Sequence, residues 1–364
     1  MKILLFYINL NQGGVQRMMV NVANYFDQNG HEVSFYLAKK QGQYIENLNP
    51  GIKLYSADTD NRLKLLRKFS RFLKLNPHDT IFTAVPHFNL IAIMCKMISG
   101  SKVKLIISER SNTFQEFQKS PWGFYKISFF LIPFLYRFAN EIVAVSKGVA
   151  DDLAKAAMIP RSRITVVYNP AFNETMLTKK SEQVDHPWIK SPRSEKLLIA
   201  VGRLTPQKDF GTLITSMTHI DDSEVKLIIV GEGDELPKLQ KLVASLGLGH
   251  RVDFAGFQLN PVAWIAKCDV FVLSSLWEGF GNILVEALAT GTTIVSTNCE
   301  SGPSEILDME RYGYLTPVGN PKSMAKTIQK ALAKRLDEST QIARAKDFDV
   351  NHILKNYEVL FQSS

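Results

Sequence analysis

Short apolar runs alternate with segments of helical periodicity along the chain of 364 residues. A run of four to eight apolar residues between turn residues is typical of a buried strand, and apolar positions three or four apart are typical of a helix. Strands that are apolar at nearly every position lie in parallel sheets covered by helices on both faces. The pattern therefore predicts an α/β fold. The predicted strands are KILLFYI, EVSFYLA, TIFTAV, KLIIS, EIVAVS and RITVVY, followed by KLLIAVG, VKLIIVG, RVDFAG, VFVLSS and TTIVST.

The alternation is interrupted at residues 171–195, which carry dense charge and two prolines and are predicted to form an exposed linker. A chain of this length exceeds the size at which one core keeps growing. We therefore predict two Rossmann-like domains, 1–170 and 196–345, with parallel sheets that face each other across a cleft. A C-terminal helix within 346–364 is expected to pack on either domain. Ligands of open parallel sheets bind at the carboxyl ends of the strands, so the residues that follow each strand are the candidates for a site.

The composition narrows the class of protein. Hydrophobic residues make up 45% and charged residues 21%, as in an ordinary soluble globular protein. Cys95, Cys268 and Cys299 have no paired spacing, which argues against a disulfide framework or a zinc site and fits a reducing compartment. The apolar start is followed by NQGG, so we predict a first strand and not a signal peptide. No run reaches the roughly 18 apolar residues that span a bilayer.

The net charge of +8 is unevenly distributed. Residues 1–190 hold 25 Lys+Arg and 14 Asp+Glu, a balance of +11, whereas residues 191–364 hold 18 and 21, a balance of −3. A basic first half favours nucleic acid, an anionic membrane surface or an anionic substrate as partner. The nucleic-acid interpretation depends on charge alone and leaves the cleft residues unexplained, so no nucleic-acid partner is predicted.

The loop after the first strand of the second half, VGRLTPQKDF, carries two cations. Arg203 and Lys208 lie five residues apart between a strand and a helix. Two cations on a short loop at the carboxyl end of a sheet can clamp a diphosphate. A solvated loop with incidental charges is the alternative for either residue alone.

The stretch WEGFGNILVE follows a buried strand and contains two acids eight residues apart. Glu278 is predicted at the end of the strand, and Glu286 about one turn into the next helix. Gly279 and Gly281 leave room for a ligand to meet the backbone N–H groups of residues 280–283 at the positive end of that helix. A carboxylate accepts two hydrogen bonds from a vicinal diol. The arrangement fits a nucleotide sugar, and favourable acids at a helix N-terminus are the alternative.

Other post-strand loops contain glycines. Gly14, in NQGG, is placed to present backbone N–H groups to an anion at a helix start. The dinucleotide motif G-x-G-x-x-G is absent, so an NAD(P) site is not favoured. Gly231 in VGEGDEL is predicted to allow a tight turn. Gly256 in DFAGF is expected to let a ligand approach the backbone, with Phe257 against a flat base.

These stretches resemble glycosyltransferase family 4, a family of retaining enzymes with the GT-B fold. The matching segments are GRLTPQKD at 202–209, VGEGDE at 230–235, LWEGFGNILVEALATGTTIVST at 276–297 and ESGPSEIL at 300–307. NQGGVQRMMVNVANYF, SERSN and AVSKGVADDL match more loosely in the first half. The resemblance is to bacterial enzymes that build polysaccharides and lipid-linked oligosaccharides.

The resemblance implies a donor site without a metal, because cations and a helix N-terminus do the work of one. The chain has no D-x-D motif and no cluster of histidines. The residues implied in catalysis are Glu278, Arg203, Lys208 and Arg110. The implied donor contacts are Arg203, Lys208, Ile283 and Gly14 with the phosphates, Glu278, Phe280, Gly281 and Asn282 with the transferred sugar, and Glu286 with the ribose.

One departure from the family concerns the loop after the strand KLIIS. Several relatives carry a histidine there, and this chain has SERSN, with Glu109, Arg110 and Asn112. Arg110 takes the place of the histidine, where it is expected to steady a phosphate or an acceptor hydroxyl, although arginine is no proton shuttle. Glu109 and Asn112 are candidates for the acceptor site. His87 follows another strand and is a further candidate for that site, with a purely structural role as the alternative.

Two segments of the first half point to the acceptor. Residues 61–75 are predicted as an amphipathic helix with Leu63 in its apolar stripe, and residues 121–139 are rich in aromatic residues. Basic and aromatic segments suit a bilayer interface or a lipid diphosphate. An ordinary amphipathic helix and a buried helix are the alternatives. The basic residues of the first segment predicted to meet the acceptor are Lys64, Arg67, Lys68 and Arg71.

The sequence thus predicts a retaining transferase that moves a hexose or N-acetylhexosamine from a nucleoside diphosphate, with UDP favoured. The expected acceptor is a hydroxyl of a glycan or of a polyprenyl-diphosphate-linked glycan in bacterial surface polysaccharide assembly. The expected location is the cytoplasm, peripheral on the inner face of the membrane. The alternatives are a sugar-nucleotide epimerase of the same architecture, which needs an acid/base set not identified here, and a non-catalytic sugar-binding protein.

Overall fold

The computed structural model describes residues 1–11, 13–119, 124–189 and 194–362. The chain forms two compact α/β units. The first unit consists of Met1–Pro170 and the C-terminal helix from Val350 onward, and the second unit is Ala171–Asp349. The segment predicted as a linker, 171–195, lies in the second unit where it is described.

The first unit is built on one seven-stranded sheet in which all neighbouring strands are parallel. Helices cover strands that are almost completely buried, which explains their continuous apolar sequences. The strands are β1 (Lys2–Tyr7), β2 (Glu32–Leu37), β3 (Lys53–Ser56), β4 (Thr80–Ala84), β5 (Lys104–Glu109), β6 (Glu141–Ala144) and β7 (Ile164–Val166). Their order across the sheet is β3-β2-β1-β4-β5-β6-β7.

Capping side chains fix where several helices of the first unit begin. The Asn61 side chain accepts a hydrogen bond from the Lys64 N–H, and Ser146 does the same for Val149. The helices are α1 (Gly14–Gln28), α2 (Arg62–Leu75), α3 (Pro86–Ser99), α4 (Thr113–Lys119), α5 (Phe124–Leu135) and α6 (Lys147–Ala157), with 3₁₀ turns at Gln43–Asn47, Tyr136–Phe138 and Arg161–Arg163.

The second unit contains a six-stranded, wholly parallel sheet. Its strands are β8 (Lys196–Val201), β9 (Val225–Val230), β10 (Val252–Gly256), β11 (Val270–Leu273), β12 (Thr293–Thr297) and β13 (Tyr314–Thr316). The order β10-β9-β8-β11-β12-β13 places β8 beside β11, although about seventy residues separate them in the chain. The loops that follow these two strands therefore meet at one edge of the sheet.

The helices of the second unit are mostly short. Their bounds are α7 (Thr175–Lys179), α8 (Phe210–Ser216), α9 (Leu236–Ser245), α10 (Pro261–Ala266), α11 (Asn282–Thr290), α12 (Pro303–Ile306), α13 (Pro321–Ala333) and α14 (Glu338–Lys346), with 3₁₀ turns at Pro206–Lys208 and Met217–His219.

The last helix, α15 (Val350–Gln362), belongs to the first unit. Its Phe361 ring stacks on Phe26 of α1, with 4.5 Å between the ring centroids. The Lys104 ammonium of β5 donates to the Leu360 carbonyl at 2.6 Å. Within the described ranges, no helix has both the length and the apolar character needed to cross a membrane.

Every predicted strand is found, whereas β3 and β13 were not predicted. The residues of β3 alternate between exposed and half-buried at the edge of the sheet, so its sequence lacks a continuous apolar run. Strand β13 has three residues and lies at the other sheet's edge. Edge strands bury less surface, so their sequences carry a weaker apolar signal.

Candidate functional site

The loops after β8 and β11 are fastened together by hydrogen bonds. The Gln207 carbonyl accepts from the Leu276 N–H at 2.8 Å, and the Gln207 side-chain amide donates to the Trp277 carbonyl at 2.9 Å. The Ser274 hydroxyl donates to the Lys208 carbonyl at 2.7 Å. These contacts hold the cation-bearing loop against the strand end that precedes Glu278.

Lys208 and Glu278 form an ion pair at the centre of this arrangement. The Lys208 ammonium lies 2.5 Å from a carboxylate oxygen of Glu278, and the Ser275 hydroxyl donates to the same oxygen at 2.6 Å. Both side chains of the pair are largely buried, with 17% and 8% of their surface exposed. An ammonium has three N–H donors, so Lys208 can hold Glu278 and still donate to a phosphate. The two residues predicted for phosphate and sugar thus belong to one cluster.

The cysteine nearest to this cluster is not activated. Burial, followed by the negative charge of Glu278, raises the pKa of Cys299 to about 12. The thiol therefore stays protonated at neutral pH and lacks the thiolate character that a nucleophile needs.

Arg203 is the exposed cation of the same loop. In the described part of the chain, its side chain makes no ion pair or hydrogen bond, and it lies five residues before Lys208. This loop therefore carries one buried cation, Lys208, that an ion pair holds in place, and one exposed cation, Arg203.

Two glycines hold neighbouring loops close to the cluster. A Cβ atom on Gly231, after β9, would lie 2.0 Å from the Gly202 carbonyl oxygen, so only glycine fits there. A Cβ atom on Gly302, after β12, would lie 1.9 Å from the carbonyl oxygen of Phe280. Both glycines have positive φ angles, 140° and 91°, which other residues rarely adopt.

Helix α11 begins directly after Gly281, whose φ of 98° turns the chain into the helix. No side chain caps this N-terminus. Asn282 and Ile283 occupy its first turn and Glu286 follows in the second, all three half-buried. The chain therefore runs from Glu278 to the positive end of α11 and then to Glu286. This is the order of groups on which the donor-site prediction depends.

The Phe280 side chain points into the core of the second unit. It is 2% exposed, and its ring contacts Phe348 edge-on with 5.4 Å between centroids. A donor contact by Phe280 is therefore restricted to its main chain, because the ring is committed to packing. The sequence predicted this contact without indicating which way the ring points.

Gly256 and Phe257 stand at the end of β10. No atom lies within 4 Å of the place a Cβ would take on Gly256, and Phe257 is exposed. The open backbone and the uncovered ring are compatible with the predicted stacking on a base, which stays a prediction.

In the first unit, Gly14 is the first residue of α1 and is exposed. Its neighbour Gly13 precedes the helix and offers no capping side chain. The first N–H groups of a helix of 15 residues therefore have no side-chain cap, which is the condition for the predicted phosphate contact.

Arg110 is engaged inside the first unit. Its guanidinium donates to Ser108 at 3.1 Å, to the Tyr357 hydroxyl of α15 at 3.1 Å and to Asn169 at 2.5 Å. These partners are neutral, and the described residues include no carboxylate paired with Arg110. Arg110 thus joins the end of β5 to the C-terminal helix. Its predicted role in catalysis stays a prediction.

Glu109 is completely buried and not open to an acceptor in this structure. It accepts hydrogen bonds from the Tyr136 hydroxyl and from the Asn89 amide, the latter at 2.8 Å. Burial raises the pKa of Glu109 to about 8 from an ordinary value of 4.5. The side chain is therefore mostly protonated at neutral pH. Asn112, also predicted at the acceptor, accepts from the Gln115 N–H at 2.9 Å at the start of α4.

The raised pKa of Glu109 predicts a pH-dependent stability. As pH rises from about 4.5 to 8, the unfolded chain loses this proton and the folded chain keeps it, so folding becomes less favourable. Glu109→Gln removes this loss and should raise the free energy of unfolding at pH 8 by a few kcal/mol, about 2–4, and by much less at pH 5. Urea denaturation at both pH values measures the difference.

The control for this prediction is Glu46→Gln, a substitution at an exposed acid of the same unit. It should unfold like the wild type at both pH values. A Glu109→Gln variant with the same stability change at pH 5 and pH 8 would show that Glu109 is ionised in the folded chain.

His87 lines a cavity of about 170 Å³ in the first unit. Burial, and then the charge of Arg62, lowers the pKa of His87 to about 4, so the imidazole is neutral at neutral pH. Val85, at the cavity wall, has a φ of 69°, a strained value for a β-branched residue that is often found at functional sites. The cavity is lined by Val85, Pro86, His87, Ser111, Thr113, Glu116, Phe117, Ser128, Phe129 and Ile132.

Helix α2 carries the predicted basic face. Lys64, Arg67 and Arg71 are exposed, as is Lys68, whose ammonium donates to the Ala57 carbonyl at 2.6 Å. The prediction of Leu63 in the apolar stripe is wrong, because Leu63 is 70% exposed. The residues that α2 buries are Leu65, Phe69, Ser70 and Leu73.

The chain matches two family models over nearly its whole length. One, described as "Glycosyl transferases group 1", matches residues 182–348, and the other, described as "Glycosyltransferase Family 4", matches residues 12–171. The chain is a family 4 glycosyltransferase. The predicted enzyme class is thereby confirmed.

Two proteins of Campylobacter jejuni are similar to this glycosyltransferase along its whole length. One is an N-acetylgalactosamine-N,N'-diacetylbacillosaminyl-diphospho-undecaprenol 4-alpha-N-acetylgalactosaminyltransferase, 27% identical over 96% of both chains. The other is a GalNAc-alpha-(1->4)-GalNAc-alpha-(1->3)-diNAcBac-PP-undecaprenol alpha-1,4-N-acetyl-D-galactosaminyltransferase, also 27% identical, over 98% of this chain and 97% of that one.

Solved structures show the fold of the glycosyltransferase. Anabaena Alr3699/HepE in complex with UDP is 21% identical, covers all of both chains and has a TM-score of 0.82. The apo form of the lipopolysaccharide outer core galactosyltransferase WaaB is 20% identical over 99% of this chain and 98% of that one, with a TM-score of 0.79. Together with the two parallel sheets, this likeness confirms the predicted GT-B fold class.

Sequence reasoning missed the residues that assemble the cluster in the second unit. Ser275 and Gln207 fix the positions of Glu278 and Lys208 through the hydrogen bonds described above. Ser275 stands in the predicted strand VFVLSS and Gln207 between the two predicted cations. Their proximity to the singled-out residues is the signal that was available.

Proposed function

We propose that this glycosyltransferase moves a hexose or N-acetylhexosamine from a UDP-sugar to a hydroxyl of a glycan or lipid-linked acceptor, with retention of the anomeric configuration. The observation that carries the proposal is the buried Lys208–Glu278 pair, with Arg203 exposed on the same loop. The names of the Campylobacter relatives support an N-acetylhexosamine and an undecaprenyl-diphosphate-linked glycan. The neighbour of the same fold in complex with UDP supports the nucleotide.

The proposed chemistry is stabilisation of charge on the leaving diphosphate. Negative charge grows on the β-phosphate as the glycosidic bond breaks, and Lys208, Arg203 and the N-terminus of α11 stabilise it. Glu278 binds hydroxyls of the transferred sugar, and Glu286 binds the ribose diol. These cations take the place of a metal in the proposal, so transfer is expected to proceed in the presence of a chelator.

No protein nucleophile is included in the proposal. The Cys299 thiol is protonated at neutral pH, and arginine is no proton shuttle. Because its pKa is about 4, the neutral His87 imidazole is too weak a base to be the favoured recipient of the acceptor's proton. The leaving phosphate is therefore the proposed recipient of the acceptor's proton.

The proposed acceptor site lies in the first unit. The cavity beside His87 combines aromatic walls with hydroxyl, imidazole and carboxylate groups, a mixture suited to a sugar ring. The basic face of α2 is the proposed contact for the diphosphate of a lipid-linked acceptor. With such an acceptor, the proposed place of the enzyme is the inner face of the cytoplasmic membrane, as a peripheral protein on an anionic surface.

Acceptor-dependent release of UDP tests the proposed function. The purified enzyme is incubated with UDP-GalNAc, UDP-GlcNAc, UDP-galactose or UDP-glucose, with and without a short polyprenyl-diphosphate-linked glycan. One donor should give fast UDP release that needs the acceptor and persists in a chelator. Conversion of a donor to an epimeric sugar nucleotide in the absence of acceptor would instead identify an epimerase. If no donor is converted under any condition, the protein would be a non-catalytic sugar-binding protein.

The basic face of α2 yields a separate prediction. The triple variant Lys64→Ser, Arg67→Ser and Arg71→Ser should raise KM for a diphosphate-linked acceptor at least about tenfold, because each lost cation contact removes a charge-assisted interaction. The KM for the nucleotide sugar should not change. Steady-state kinetics with each substrate varied in turn measures both values.

The matched control for the α2 variant removes three exposed lysines, two in α13 and one at its C-cap, with Lys322→Ser, Lys326→Ser and Lys334→Ser. It should leave both KM values at those of the wild type. An equal rise in acceptor KM in the control would assign the effect to overall charge and not to α2.

A further inference from the structure

One face of α5 carries large apolar side chains that lie in solvent. Ile127 is 57% exposed, Phe130 58% and Phe134 64%, and Phe138 in the following 3₁₀ turn is 50% exposed. Spacings of three, four and four residues place the four side chains on one side of the helix. We call these four residues the α5 stripe. A contiguous apolar surface of this kind marks an interaction site in a soluble protein.

The opposite face of α5 is committed to the interior of the first unit. Ser128 and Ile132 are buried at the wall of the His87 cavity. Tyr136, directly after the helix, is completely buried and donates to Glu109. Rotation of the helix that covered the stripe would expose these contacts, so the stripe is a fixed surface.

Cations surround the stripe. Lys126 precedes it, with its ammonium 5.2 Å from the centroid of the Phe117 ring. At the other end, Arg137 donates to the Pro133 carbonyl at 2.7 Å and Arg163 to the Ala139 carbonyl at 3.4 Å. The sequence from 117 to 140 contains no aspartate or glutamate. The partner that covers the stripe is therefore apolar at its centre and anionic at its rim.

We propose that the α5 stripe inserts into the surface of an anionic lipid bilayer, with the helix lying in the plane of the membrane. Apolar and aromatic side chains enter the acyl boundary while Lys126, Arg137 and Arg163 meet lipid phosphates. The helix has 12 residues and is about 18 Å long, too short to cross the roughly 30 Å hydrocarbon core. The inference rests on the proposed function, because a lipid-linked acceptor brings the enzyme to the bilayer.

Charge decides between a bilayer and a second copy of the chain as the partner. In a symmetric dimer the same patch faces itself, so Lys126, Arg137 and Arg163 would meet their own copies. Like charges opposed in an interface are unfavourable. The bilayer supplies the opposite charge together with the apolar centre.

The stripe and the basic face of α2 make different contributions. The two exposed leucines of α2, Leu63 and Leu75, lie at opposite ends of the helix, so they form no contiguous apolar patch and its outer face is mainly basic. Binding through α2 alone would be mainly electrostatic and would weaken strongly at high salt. Insertion of the α5 stripe predicts binding that persists in part at high salt. Insertion would place the bilayer against the outer face of α5. The His87 cavity, which is the proposed acceptor site, lies against the inner face of the same helix.

Flotation with lipid vesicles tests the proposal. Wild-type protein is mixed with vesicles of phosphatidylethanolamine and phosphatidylglycerol at low and high salt, and the bound fraction is measured. The variant Phe130→Ser with Phe134→Ser should bind at least about tenfold more weakly at both salt concentrations, because each phenylalanine contributes its own apolar transfer energy. The matched control Leu259→Ser with Val359→Ser removes two exposed apolar residues elsewhere and should bind like the wild type.

Two further measurements separate the possible outcomes. The stripe variant should keep its circular dichroism spectrum, its thermal midpoint and its turnover of a detergent-solubilised acceptor, so that loss of binding does not reflect loss of the transferase function. With brominated lipids, the fluorescence of Phe134→Trp should be quenched and that of Val359→Trp should not. Unchanged vesicle binding of the stripe variant, or equal quenching of the two tryptophans, would overturn the proposal. So would a wild-type dimer that the stripe variant converts to a monomer.

Discussion

Lys208→Ala is expected to lower kcat/KM for sugar transfer by about 10²–10³-fold, the usual effect of removing one preorganised donor from a developing oxyanion. Lys208 is held by its backbone contact with Ser274 and by its ion pair with Glu278. Its ammonium is therefore fixed before the donor binds and needs no rearrangement when charge grows on the phosphate. Steady-state kinetics with the preferred donor gives the number.

Loss of Lys208 also has a cost in stability that must be separated from catalysis. Glu278 would remain buried without its cation, which typically costs about 3–5 kcal/mol. The double variant Lys208→Met with Glu278→Gln removes both charges, so its thermal midpoint should recover towards the wild type while transfer stays lost. Recovery of turnover together with stability would show that the pair supports the fold and not the reaction.

The control for Lys208 is Lys238→Ala in the same unit. Lys238 is mostly exposed and forms an ion pair with Glu235 at 2.8 Å. Exposed ion pairs contribute little to stability because solvent screens them, so this variant should have wild-type kinetics and stability. Wild-type turnover in Lys208→Ala itself would contradict the assignment of the donor site.

Glu286→Ala is expected to lower kcat/KM for the donor by about 10–100-fold, because hydrogen bonds to a charged group contribute about 1.5–3 kcal/mol. The loss should appear as a higher KM, since the ribose is far from the bond that breaks. The sharper test compares UDP-sugar with its 2′-deoxy analogue. Wild-type enzyme should discriminate against the analogue, and Glu286→Ala should treat the two donors alike.

Discrimination that is unchanged in Glu286→Ala would show that another group binds the ribose. Glu235→Ala serves as the matched control, because Glu235 also lies at the start of a helix in the second unit and has an exposed lysine partner. Its discrimination between the two donors should equal that of the wild type.

The central strands of both sheets could be predicted from the sequence because these strands are buried on both faces. Short apolar runs such as KLLIAV and VKLIIV, bounded by turn residues, favour buried strands over helices, and both are strands. The short edge strands β3 and β13 lacked such runs and were missed. Helix α15 was predicted as a helix, but the unit on which it packs was not. The sequence of a single amphipathic helix does not reveal which sheet the helix covers.

The site was predicted residue by residue but not as an assembly. Lys208 and Glu278 were both selected from post-strand loops, yet their ion pair depends on β8 lying beside β11, which is a property of strand order. The inward Phe280 ring and the burial of Glu109 depend on tertiary packing in the same way. Local sequence patterns show which residues follow a strand. They do not show which of those side chains are buried in the core.

The most direct test of the central claim is the structure of the isolated product. The enzyme is incubated with its preferred α-linked UDP-sugar and a polyprenyl-diphosphate-linked glycan, and the product is analysed by mass spectrometry and nuclear magnetic resonance. The account predicts an acceptor extended by one sugar in α linkage, formed at the same rate by the wild type and Lys238→Ala and at least about 100-fold more slowly by Lys208→Ala. An unextended acceptor, a β linkage or an epimerised donor would contradict it.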